Sequence, residues 1–64
     1  MAENYSRRVK KILRKSGCVF VRQGRGDHEI WETPKGTRFM VDNNIKNRTW
    51  ANYTLKAASL PKAF

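Results

Sequence analysis

The first part of the chain carries apolar side chains at a helical spacing. They recur at i, i+4, i+7 and i+8, the stripe that one face of a helix buries: Tyr5, Val9, Ile12 and Leu13. Ser6 can cap the start of this helix through its hydroxyl group, and Gly17 supplies the left-handed residue that ends it. The pattern therefore predicts a helix from about Ser6 to the residue before Gly17.

Three short segments after this helix have the composition of β-strands. Residues 18–23 are apolar and partly β-branched, and residues 37–41 form another such segment. Between them, the side chains of residues 28–33 alternate between two sides, with Ile30 on the side of His28 and Glu32 and with Trp31 on the side of Glu29 and Thr33. A glycine-rich connection separates the first two, and a Thr-Pro-Lys-Gly turn at 33–36 separates the last two. Because both connections are short, the segments predict an antiparallel meander.

A second helix is predicted after the polar loop at residues 42–48. It begins near Arg48–Trp50 and runs to about Ala58, with Asn47 or Thr49 as its cap. Its apolar positions keep helical spacing: Ala51, Leu55 and Ala58.

The predicted order is α-β-β-β-α, which places residues 1–64 in the α+β class as a single domain. The three strands form one antiparallel sheet, and we expect both helices to cover one of its faces. The C-terminal tail can dock on this domain through Leu60 and Phe64.

Basic residues strongly outnumber acidic ones. Fourteen Lys and Arg against five Asp and Glu give a formal net charge of +9. Such a field attracts polyanions, so nucleic acid is the leading partner, although acidic proteins and anionic membranes satisfy the same electrostatics. We expect no membrane partner, because no apolar run approaches the roughly 20 residues that a spanning helix needs.

Cys18 is the only cysteine, so the sequence predicts no disulfide within the chain. Its place in an apolar run favours a small buried hydrophobic residue over a catalytic thiol. A free thiol fits a reducing compartment, and we therefore expect a cytoplasmic protein.

The only histidine, His28, lies where catalytic chemistry is plausible. It directly follows a Gly-Arg-Gly-Asp connection, where the backbone can approach a ligand closely. Strand alternation places it on the side opposite Trp31, the largest apolar residue of its strand. If Trp31 points into the core, His28 points away from it.

An imidazole can move the proton of an RNA 2′-hydroxyl group or protonate the 5′-oxygen leaving group. We predict His28 as the catalytic residue, with possible support from Asp27, Arg22 and Arg25. Since no second histidine shares the acid and base roles, we expect a slow enzyme. Basic side chains on the first helix and in the strand connections are predicted to bind RNA: Lys11, Lys15, Arg25, Lys35 and Arg38.

Metal-dependent chemistry is not predicted, and no cofactor is expected. Asp27, Glu29 and Glu32 lie close together in sequence, but they lack the further ligands that Mg²⁺ or Zn²⁺ needs. These carboxylates are interpreted as surface ion pairs in a basic protein.

The chain resembles the HicA family of toxin–antitoxin RNases from about Val9 to Phe64. The resemblance is carried by Lys-Ile-Leu at 11–13, Gly17, Val-Phe-Val-Arg at 19–22, Gly-Asp-His-Glu-Ile-Trp at 26–31, Ala-Asn at 51–52 and Thr-Leu-Lys-Ala-Ala-Ser-Leu-Pro at 54–61. The family's signature is Gly-Ser-His with an aromatic residue three positions on, followed by a C-terminal helix.

This resemblance implies a fold like a double-stranded RNA-binding domain and ribosome-independent cleavage of mRNA. The family's catalytic histidine matches His28. It also implies a HicB-type antitoxin that binds the toxin and covers His28, and that represses their shared operon. Contact with DNA would then be indirect, through the antitoxin.

Two positions depart from the family pattern. Asp27 occupies the place of the familiar serine, where its carboxylate can orient His28 or repel the scissile phosphate. Ser59 stands where glycine commonly ends the last helix, so this helix end is expected to differ or the helix to continue.

Two other functions fit the same residues. A non-catalytic basic RNA-binding module with this fold would bind RNA in a salt-sensitive way without cleaving it. A basic protein that exists mainly to bind an acidic protein partner would also carry this charge.

Overall fold

The computed structural model describes residues 4–64 and confirms the α-β-β-β-α order. Its elements are α1 (Ser6–Lys15), β1 (Val19–Gln23), β2 (His28–Glu32), β3 (Arg38–Asp42) and α2 (Arg48–Ala57). The three strands form one antiparallel sheet in the order β1-β2-β3. Across residues 4–64, no helix has the length and apolar character needed to cross a membrane.

Cross-strand register sorts the side chains of the sheet onto two faces. Trp31 lies opposite Phe20 on β1 and opposite Phe39 on β3, so these three aromatic residues share one face. An irregularity between Phe20 and Arg22 shifts β1 by one residue, which places Arg22 opposite Ile30 on the other face. We call the second face the open face.

The core lies between the first face and the two helices. Buried side chains come from both helices, the strands and the connecting segments: Val9, Leu13, Cys18, Trp31, Phe39, Val41, Ile45, Ala51, Leu55 and Ala58. The predicted packing of both helices on one face of the sheet is therefore confirmed. Burial also raises the pKa of the Cys18 thiol, as expected for a structural cysteine.

The start of α1 differs from the prediction. Ser6 is the first residue of the helix and not its cap, and its hydroxyl group donates a hydrogen bond to the Asn43 carbonyl oxygen at 3.0 Å. The Asn4 side chain instead accepts from the Ser6 N–H at 3.0 Å and from the Ile45 N–H at 3.3 Å. Ser6 is buried against the loop after β3, and its hydroxyl group therefore bonds to a carbonyl of that loop and does not cap its own helix.

The start of α2 and the tail agree with the prediction. Of the two predicted caps, Asn47 is the one used, and its side chain accepts from the Trp50 N–H at 2.8 Å. Leu60 and Phe64 pack against the core, and Phe64 makes an edge-on ring contact with Tyr5 at 5.3 Å. The tail therefore holds the two helices together.

Both helices end in the same hydrogen-bonding pattern. At the end of α1, the Cys18 N–H donates to the Leu13 carbonyl at 2.9 Å, and Gly17 adopts φ +88°. At the end of α2, the Leu60 N–H donates to the Leu55 carbonyl at 2.9 Å, and Ser59 adopts φ +61°. This motif favours glycine at the left-handed position, so Ser59 is strained where Gly17 is not.

A partly buried polar network links α1 to β2 on the core side of the sheet. The Glu29 carboxylate accepts from the Trp31 indole N–H at 2.9 Å and from the Lys10 ammonium at 3.1 Å, and Lys10 also donates to the Asn43 side chain. Burial raises the pKa of Glu29, but these hydrogen bonds and the charge of Lys10 outweigh it, so the pKa lies below its ordinary value.

Replacement of Ser59 by glycine is expected to stabilise the fold. Glycine relieves the left-handed strain at φ +61° without removing a side-chain contact on which the core depends, so Ser59→Gly should raise the free energy of unfolding by about 1 kcal/mol. Urea denaturation measures this change. The matched control is Gly17→Ala, which should destabilise by a similar or larger amount because its Cβ would also meet Pro34 at 3.0 Å. A neutral or destabilising Ser59→Gly would show that the strain argument is wrong.

The Glu29 network is expected to make stability fall at acid pH. Because the folded pKa of Glu29 is lowered, its contribution is complete above the ordinary value of 4.5 and is lost as pH falls through the folded value. Glu29→Gln should cost about 1–3 kcal/mol at pH 7 and show a smaller further loss below pH 4.5 than the unmodified chain. Thermal denaturation across pH 3–7 measures both. Glu32→Gln is the control, because Glu32 pairs with Arg38 at the exposed surface and contributes little.

Candidate functional site

His28 begins β2 and lies on the open face, opposite Asp42 at the end of β3. Trp31, three residues along the same strand, is 1% exposed in the core. The structure therefore confirms that His28 points away from the core.

A cleft of about 170 Å³ lies between this end of the sheet and α2. Strand residues form one side of it and one face of α2 forms the other: His28, Met40 and Asp42 from the strands, and Trp50, Tyr53, Thr54 and Ala57 from the helix. α2 contacts β3, an edge strand, and the cleft lies where the helix meets this end of the sheet.

The two sides of the His28 ring differ in their surroundings. The Nδ1 atom is buried and has no hydrogen-bond partner within residues 4–64, whereas the side chain as a whole is 41% exposed. Nδ1 lies 3.9 Å from Oδ2 of Asp42, whose side chain is 14% exposed. The other oxygen, Oδ1, accepts from the Asn44 N–H at 2.8 Å, which orients the carboxylate.

The glycine-rich connection holds the backbone of His28. The Gly24 N–H donates to the His28 carbonyl at 2.9 Å, and the His28 N–H donates to the Arg25 carbonyl at 3.1 Å. A side chain at Gly24 would bring its Cβ within 3.2 Å of that His28 carbonyl oxygen. The Gln23 side chain also donates to the His28 carbonyl, at 3.0 Å. This connection is therefore a tight turn with a defined position for His28.

The three predicted supporting residues lie near His28 in strand register or along the chain, but none of them makes a hydrogen bond or ion pair with its ring. Asp27 is exposed, and its backbone carbonyl accepts from the Asn43 N–H at 2.7 Å. Arg22 shares the open face with His28, and Arg25 is exposed in the turn before it. The carboxylate beside the imidazole belongs to Asp42, not to Asp27.

The predicted RNA-binding residues do not gather around His28. Arg38 pairs with Glu32 at 3.3 Å, four positions along β3 from Asp42, which is about 13 Å of strand. Lys35 lies beyond it in the turn between β2 and β3. Lys11 and Lys15 are exposed on α1, which packs on the other face of the sheet. Of the five predicted residues, only Arg25 lies in the turn between β1 and β2 that leads directly into His28.

Sequence reasoning assigned no site role to Asp42, Trp50 or Tyr53. A register count outward from the predicted turn at residues 33–36 pairs residue 28 with residue 41. The turn is one residue longer, because the Thr33 N–H donates to the Thr37 carbonyl, and the observed register therefore pairs His28 with Asp42. Trp50 and Tyr53 fall outside the apolar stripe of α2, and only the packing of that helix places them beside His28. Among residues 4–64, no group of three metal-ligating side chains lies close enough to hold an ion.

Comparison with known proteins places this chain in one family. The family model described as HicA toxin of bacterial toxin–antitoxin matches residues 6–60. Neither the curated proteins nor the solved structures that were compared include a match. The match runs from the first residue of α1 to the tail and includes His28 and the whole cleft. The chain therefore belongs to the HicA family of toxins of bacterial toxin–antitoxin systems.

Proposed function

We propose that this toxin is a metal-independent endoribonuclease that cleaves mRNA without the ribosome, with His28 as its general acid or base. The observation that carries this proposal is the His28 imidazole in an open cleft, with Nδ1 buried against Asp42. The net charge of +9 attracts an RNA strand to this surface.

The reaction uses the RNA's own 2′-hydroxyl group as the nucleophile. Neutral His28 accepts the 2′-hydroxyl proton, the 2′-oxygen attacks phosphorus, and the bond from phosphorus to the 5′-oxygen breaks. The leaving 5′-oxygen takes up a proton, from the imidazolium or from water. The products are a 2′,3′-cyclic phosphate and a free 5′-hydroxyl group, and the net reaction needs no metal ion and consumes no water.

Asp42 positions His28 for this step. A carboxylate beside Nδ1 favours the tautomer with its proton on Nδ1, which leaves Nε2 unprotonated on the exposed side of the ring. The 3.9 Å separation is longer than a hydrogen bond, and such contacts in a substrate-free enzyme often shorten when the substrate binds.

Cationic side chains near His28 stabilise the charge that develops on the phosphate. Arg22 on the open face and Arg25 in the adjoining turn are the nearest candidates by strand register and chain position. Four further basic residues lie farther away and act on more distant phosphates of the strand: Lys11, Lys15, Lys35 and Arg38. With one histidine for both proton transfers, turnover is slow.

A HicB-type antitoxin is the proposed protein partner. Membership of a toxin–antitoxin family implies an antitoxin, and an acidic one would match the charge of this toxin. Covering the cleft would keep RNA away from His28. Repression of the operon would act through the antitoxin, and an mRNA substrate places the toxin in the cytoplasm.

Removal of the imidazole is expected to slow RNA cleavage strongly. His28→Ala should lower the cleavage rate in EDTA by roughly 10²–10⁴-fold, because proton transfer by a positioned side chain contributes this much. The measurement is cleavage of a labelled RNA by both proteins, purified in parallel, with circular dichroism to confirm that the variant is folded.

One further substrate makes this test specific. An RNA whose 2′-hydroxyl group at the cleaved position is replaced by hydrogen should resist cleavage. Equal cleavage by His28→Ala would overturn the assignment of His28. Salt-sensitive RNA binding without any cleavage by the unmodified protein would favour the non-catalytic RNA-binding module.

Loss of the Asp42 charge is expected to slow the chemical step more than it weakens substrate binding. Asp42→Asn keeps an oxygen for the Asn44 N–H but removes the charge that holds the His28 tautomer. We expect kcat to fall about 10- to 100-fold with little change in KM. Glu32→Gln is the matched control, since it removes a carboxylate at the other end of the same face. An Asp42→Asn enzyme with normal kcat would contradict the positioning role, as would a further loss from adding Asp42→Asn to His28→Ala.

A further inference from the structure

We propose that the wall of the cleft formed by Trp50 and Tyr53 is a nucleobase-binding site, which stacks an unpaired base of the RNA next to the phosphate at His28. This inference rests on the proposed function and adds to it the part of the substrate that the cleft holds. Three features of the cleft support it: exposed aromatic rings, apolar walls and a basic groove that continues from it.

Trp50 and Tyr53 are exposed although they are large aromatic residues. Trp50 is 45% exposed and Tyr53 is 71% exposed, whereas the other tryptophan, Trp31, is 1% exposed. Their spacing of i and i+3, with Ala57 at i+7, puts them on one face of α2. The buried stripe of this helix is a different one, which contains Ala51 and Leu55. Packing of the core therefore does not require aromatic side chains at residues 50 and 53.

The interior of the cleft suits the flat face of a base better than it suits a phosphate. Met40, 55% exposed, adds a polarisable side chain to the strand side. The Thr54 hydroxyl group already donates to the Trp50 carbonyl at 3.1 Å, so it offers no free donor to a phosphate. The Asp42 carboxylate would repel a phosphate group placed deep in the cleft.

A basic groove begins on the far side of Tyr53. This groove has a volume of about 520 Å³, and Lys56 and Lys62 line it together with Tyr53. Tyr53 therefore stands between the His28 cleft and two positive charges that suit RNA phosphates. A strand that stacks a base on Tyr53 can extend its backbone along this groove.

These features favour an unpaired strand. In a duplex, the faces of the bases are stacked on each other and cannot reach an aromatic side chain, whereas single-stranded RNA can splay its bases out. The site therefore predicts preference for loops and unpaired segments, even though the element order is that of a double-stranded RNA-binding domain.

The two tryptophans make the contact directly measurable. A His28→Ala chain is titrated with a short unpaired oligoribonucleotide, with binding followed by fluorescence anisotropy and tryptophan emission. Stacking on Trp50 should quench the emission, and the quenching should disappear in a His28→Ala/Trp50→Phe chain, where buried Trp31 is the only remaining tryptophan.

Removal of an aromatic ring should weaken this binding. Trp50→Ala and Tyr53→Ala should each raise the Kd about 5- to 100-fold, the value expected for loss of one base–aromatic stack. Tyr53→Phe keeps the ring and should bind normally, and so should Phe20→Leu, which alters a half-exposed aromatic residue outside the cleft. A duplex of the same sequence should bind more weakly and leave the emission unchanged.

The outcomes separate this inference from the proposed function. If the unmodified toxin cleaves RNA but Trp50→Ala and Tyr53→Ala leave KM, Kd and strand preference unchanged, the base site is wrong and the nuclease stands. If both substitutions weaken antitoxin binding alone, the aromatic wall is a protein interface and the inference is also overturned. If the unmodified toxin does not cleave RNA but the oligonucleotide quenches the Trp50 emission, the base-binding site is supported and the nuclease proposal is wrong.

Discussion

Burial of Trp31 is the constraint on which the rest of the structure depends. It lies at the centre of the three-stranded sheet, between Phe20 and Phe39, and the Arg14 guanidinium group lies 5.5 Å from its ring. Its indole N–H needs a buried acceptor, which Glu29 supplies from the same face of β2. Because strand side chains alternate, fixing Trp31 in the core also fixes His28 on the open face.

The hydrogen bonds of Asn43 connect the core to the His28 end of the sheet. Its carbonyl oxygen accepts from Ser6, its side chain accepts from Lys10, and its N–H donates to the Asp27 carbonyl. One residue after Asp42 thus joins the start of α1, the middle of α1 and the turn before His28. In a chain of 64 residues with a small core, such links hold the His28 end of the sheet in place.

The cleft itself is assembled from elements that are distant in the chain. The β2–β3 hairpin brings Asp42 to His28, and the packing of α2 beside β3 brings Trp50 and Tyr53 to the same end. The strongly basic helix α1 faces the other side of the sheet. Charge therefore attracts a polyanion to the whole molecule, whereas the residues that would act on it are concentrated on one side.

The sequence by itself determined the element order, the buried side of β2 and the outward direction of His28, because hydrophobic periodicity is a local property of each segment. It also gave Asn47 as one of two candidate caps, since capping spans only three residues. The tertiary structure alone decided that the Ser6 hydroxyl group bonds to the loop after β3, and that aromatic residues of α2 stand beside His28. Those outcomes depend on how the helices pack on the sheet, and no pattern within one segment encodes that geometry.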